Sequence, residues 1–168
     1  MTNNIISVAL DSFRAFEEPR HGVGTNPFKL GCALAVPASH DEIEKTWRGD
    51  VPIDLRQLWL TSRSARLFED VEYGQWGLGL LSPEQAAART AEFYDTYSED
   101  AVQGDIVIGE FLGDLELLIL SGDGDGVLVV LPLDSRVDWY RAAPSLAEFL
   151  LKYRTALGNK YWEGVTSA

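Results

Sequence analysis

The stretch GDLELLILSGDGDGVLVVLPLDSRVDWY, residues 113–140, sets two short runs of Leu, Ile and Val on either side of an Asp/Gly cluster. Whether that cluster holds a metal or only turns the chain determines what its flanks can be. A calcium loop of the EF-hand type needs oxygen ligands at alternating positions, glycine at the sixth and a bidentate glutamate at the twelfth. With Gly126 as the sixth residue, the first falls on Ser121 and the twelfth on Pro132, and neither is a carboxylate. The flanking runs are short and apolar throughout, unlike the amphipathic helices that such a loop joins. Asp and Gly tolerate left-handed backbone, so 121–126 reads as a hairpin turn between two buried strands, with no metal expected.

Outward from this hairpin, further strands are expected at 65–71, 76–81 and 106–111, with a fainter signal at 137–140 beside the two at 115–120 and 127–131. A helix is expected over 5–17, where Ile5, Ile6, Ala9, Leu10, Phe13 and Phe16 recur at spacings of three and four before Pro19. Three serines, Ser39, Ser82 and Ser145, each stand three residues before Glu or Gln, the pattern of a reciprocal capping box. They open helices over 41–47, 83–97 and 146–157, and another follows Pro52. The segment 21–37 reads as a loop or irregular connection. Helices at the front and back with strands between favour an α+β fold, a central antiparallel-rich mixed sheet flanked by helices, over a doubly wound one.

The chain has 168 residues, 46% of them apolar, which suits one domain with a substantial core. Neither a membrane-length apolar run nor a signal-peptide pattern is present, so the expected location is the cytoplasm. The single cysteine, Cys32, sits among apolar neighbours and reads as a buried thiol. Net charge is −12, unevenly spread: 69–138 holds 16 acidic and two basic residues, a net −14, and the rest of the chain carries +2. Such a field repels nucleic acid and anionic lipid and attracts a basic partner.

Little points to catalysis. The two histidines, His21 and His40, fall in a Gly-rich loop and in the first turn of a capped helix, and no nucleophile motif accompanies them. Carboxylates at Glu69/Asp70/Glu72, Glu99/Asp100 and Asp123/Asp125 are usable for magnesium or acid–base chemistry only if the fold makes them converge. No catalytic residue, metal site or cofactor is expected. Trp76, between glycines, reads as packed, and Tyr161–Trp162 as an exposed anchor.

Several segments together resemble the SUKH superfamily, which includes fungal cell-wall-synthesis regulators and bacterial immunity proteins. HDEIEKTWRGDVPIDLRQLWL resembles its helix, short turn, proline and second helix. YGQWGLGLLSPEQA resembles its Trp-Gly strand entering a serine-capped helix. IVIGEFLGDLELLIL, DGVLVVLPLD and PSLAEFL resemble its strand pair, following strand and final helix. The likeness covers about 39–157 and leaves 1–38 as an N-terminal helix and loop of the same domain. TSRSARLFED stands where the family commonly has a glycine-rich segment.

The resemblance implies an α+β domain that acts by binding protein rather than by catalysis, in bacteria by neutralising a cognate toxin, often a nuclease. Combined with the charge map, it points to a basic, nuclease-like toxin as partner and to neither nucleic acid nor membrane. The alternative is a regulatory scaffold of the cell-wall-regulator kind. The expected contacts are Asp70, Glu72, Glu99, Asp100, Asp105, Asp123, Asp125 and Asp138, with Tyr73 and Tyr97 as aromatic anchors.

Overall fold

The computed structural model describes residues 4–164. Seven strands, β1 (Leu30–Leu34), β2 (Ala65–Asp70), β3 (Leu78–Leu80), β4 (Ile106–Phe111), β5 (Leu117–Leu120), β6 (Val127–Val130) and β7 (Tyr140–Ala143), form one sheet in chain order. All six pairings are antiparallel, so the sheet is a pure meander with no parallel element. The helices are α1 (Ile5–Asp11), α2 (His40–Trp47), α3 (Ile53–Thr61), α4 (Pro83–Thr96) and α5 (Leu146–Thr155).

The 121–126 segment is the hairpin turn between β5 and β6, closed by Ser121 N donating to the Gly126 carbonyl at 2.8 Å. Successive strand residues point to opposite faces, yet Val127, Leu128, Val129 and Val130 are all buried, so both faces of β6 are covered. On one side lies an aromatic cluster in which Phe68 meets Phe13, Phe16 and Tyr153, and Trp162 meets Phe111, Phe149 and Tyr153. A second cluster joins Phe93 and Tyr97 of the α4 region to Trp139. Trp162 is therefore a core residue at 2% exposure, not a surface anchor. Trp76 is half-buried, and its indole N–H donates to the Gly158 carbonyl.

Two local departures from the sequence reading have clear causes. The first helix changes at Ser12 into a 3₁₀ turn, Ser12–Phe16. Residues three apart eclipse one another in 3₁₀ geometry, which buries both Phe13 and Phe16. β1 lies inside the segment expected to be irregular. Its pairing with β2 is interrupted by a bulge: Gly31 faces Glu69 and Ala33 faces Arg66, leaving Leu67 and Phe68 opposite Cys32. Phe68 takes a left-handed φ of 51°, its N–H meets the Cys32 sulfur, and both Leu67 and Phe68 are fully buried. Burial pushes the Cys32 thiol up to about 11.

All three serine caps form, each side chain accepting from the amide three residues on. The reciprocal half exists only at Ser82, whose N–H is bonded by Gln85. Glu42 instead reaches Arg63, 2.5 Å away.

Candidate partner-binding face

β6 leaves the sheet at the end opposite the 121–126 turn, but the connection 131–139 doubles back so that Arg136 reaches that turn. Its guanidinium donates to both carboxylate oxygens of Asp105, at 2.7 and 3.1 Å, to the Asp100 carbonyl at 3.0 Å and to Ser121 Oγ at 3.2 Å. Asp123 lies 3.5 Å away. The Arg136 backbone N–H donates to the Asp100 carboxylate, and its side chain lies beside the Trp139 ring. Hydrogen bonding to Asp105 holds the guanidinium above its ordinary pKa. Trp139 is buried against Phe93 and Tyr97 and donates its indole N–H to the Asp134 carbonyl.

Around this clamp stand six of the ten expected contact residues. Glu99, Asp123, Asp125 and Asp138 are exposed; Asp100 and Tyr97 are half-buried. Tyr97 packs on Phe93 and Trp139, and its partial burial raises the phenol pKa. The Asp123 carboxyl sits below its usual pKa, chiefly because the Ser121 hydroxyl donates to it.

Of the other four, Asp105 and Asp70 are corrected, while Glu72 and Tyr73 are exposed but stand apart from this face. Asp105 is 1% exposed and accepts from the Val102 and Gly122 amides as well as from Arg136. Every oxygen is engaged, so it ties three loops together and offers nothing to a partner. Asp70, also 1% exposed, accepts from the amides of Glu72, Tyr73 and Gln75, shaping the β2–β3 turn. Glu72 and Tyr73 are exposed on that same turn. It lies at the opposite end of the sheet from 121–126, with β3 and β4 between, so the two groups do not share a face.

Arg136, Leu133, Val137 and Trp139 were absent from the expected set. Arg136 had a signal: it is one of two bases among the 16 acids of 69–138. An arginine isolated in that way is a candidate for a buried charge partner.

Pairing also reshapes the charge map. Arg66 meets Glu69, Arg89 meets Glu92 and Glu110, and Lys160 meets Asp114 and Glu116. The acids around 131–139 have fewer such neighbours. Among the described residues no three His, Cys, Asp or Glu side chains converge on a metal-sized site, and no helix is long and apolar enough to cross a membrane. A groove of about 340 Å³ over β1–β4, floored by Gly79, is lined by Arg66, Gln85 and Glu110 but by no histidine or cysteine. The chain matches no protein-family model and no curated protein.

Proposed function

We propose that this chain is a SUKH-type immunity domain that neutralises a basic, nuclease-like protein toxin by binding it, without catalysis of its own. The observation that carries the reading is the gathering of Glu99, Asp100, Asp123, Asp125 and Asp138 around one clamped connection. A nuclease presents a positive surface to its substrate's phosphates, and a fixed array of carboxylates imitates that field. The element order adds support: a helix pair around Pro52, a strand entering the Ser82-capped helix, then a hairpin, a strand and a Ser145-capped helix follow the order that the resemblance implies.

The test is protection. Cells expressing a candidate basic nuclease toxin are counted with and without the chain. Rescue is expected, and it is lost when Glu99 and Asp125 are both reversed to lysine. These two are the right choices because Asp100 and Asp123 also engage Arg136, so their reversal disturbs folding. A folded, expressed chain that gives no rescue rejects that toxin as the target and favours an endogenous regulatory partner.

A further inference from the structure

Leu133 is 97% exposed and Val137 89%, the two most exposed large hydrophobic side chains among the described residues. An isolated surface leucine needs no explanation. These two share one connection, and its backbone is held from beneath: Arg136 is bound to Asp105 and Asp100, Trp139 is buried, and Asp134, Asp138 and Trp139 donate to carbonyls within the connection. A segment fixed so firmly yet turning its apolar side chains to water is pre-organised for contact, and little conformational entropy is lost when it docks.

Each apolar side chain also stands at the lip of a cleft. Leu133 borders one of about 380 Å³ with Glu99, Asp100 and Asp134. Val137 borders one of about 280 Å³ with Asp123 and Asp125, where Arg136 and the exposed Arg141 are the bases. Asp105 already occupies Arg136. Carboxylates flanking apolar side chains repel phosphate-bearing surfaces and match a protein surface with Lys or Arg around apolar hollows.

We infer that the 131–139 connection is a docking ridge for a basic protein surface, with Leu133 and Val137 as its apolar anchors and the cleft of Glu99, Asp100 and Asp134 receiving the partner's cationic side chains. The inference rests on the proposed function for the basic character of the partner and adds where, and through which side chains, it is held.

The probe is a synthetic amphipathic helix of Leu and Lys, titrated into the full chain carrying methyl-labelled Leu and Val and followed by NMR. The Leu133 and Val137 methyls are expected to shift first. Leu133→Asp with Val137→Asp should weaken binding at least about tenfold. The sign is decisive, because two added negative charges tighten a purely coulombic attachment. Ile53→Asp, at a 71% exposed position on α3, should not weaken it. Shifts centred elsewhere, no binding, or undiminished binding by the double variant overturns the ridge. Loss of the peptide site together with intact protection by the double variant rejects the ridge and leaves the immunity reading standing; absent protection with the peptide mapped to 131–139 does the reverse.

Discussion

Asp105 accepts from two backbone amides and from both arms of Arg136 while almost completely out of water, so removing the arginine strands a carboxylate in the interior. Breaking such a pair by deleting one partner costs about 3–5 kcal/mol. Arg136 is itself 15% exposed, which places Arg136→Leu toward the lower end of that range. Arg136→Lys should recover only part of the loss, since a point ammonium cannot grip both Asp105 oxygens and the Asp100 carbonyl at once. Urea denaturation of the three proteins checks this. A loss below about 1 kcal/mol would mean that the pair behaves like an exposed bridge.

Among the elements, the β5–β6 turn shows how local chemistry sets a register. Gly124 and Gly126 both have φ of 87°, but a Cβ on Gly124 meets open space, whereas on Gly126 it would lie 2.4 Å from the Ala143 carbonyl of β7. Gly124→Ala should therefore cost about 1–2 kcal/mol from left-handed backbone alone. Gly126→Ala should cost clearly more, because β7 must move. Thermal unfolding of the two variants compares them, and equal losses would show that β7 yields freely. The turn itself was legible from 121–126, as were the helices opened by Ser39, Ser82 and Ser145, because capping and turn chemistry act within a few residues. β1 was not legible: in its five residues, LGCAL, three buried residues stand in a row because Gly31 lies against Pro19, so no period of two shows. The site was half legible for the same reason of range. Acidity is visible in a sequence, but whether Asp105 faces a partner or Arg136 depends on a contact across 31 positions.

For the whole molecule, the −14 of residues 69–138, in which Arg89 and Arg136 are already counted, overstates the field that a partner meets, since Arg66 and Lys160 from outside that window bind Glu69, Asp114 and Glu116. The effective charge is concentrated where pairing is sparse, around 131–139. Steering by such a patch acts over about a Debye length, which shrinks from about 30 Å at 0.01 M salt to about 8 Å at 0.15 M. Association with the proposed basic toxin should consequently slow at least about tenfold over that interval, while dissociation, governed in the proposed complex by the apolar anchors, changes little. Glu99→Gln with Asp125→Asn should flatten the salt dependence of the association rate. Glu72→Gln, at the far end of the sheet, should leave it unchanged. Stopped-flow rates across salt for the three proteins test both halves: a salt-independent association rate would remove electrostatic steering from the mechanism, and an equal response to Glu72→Gln would show that total charge, not this face, guides the encounter.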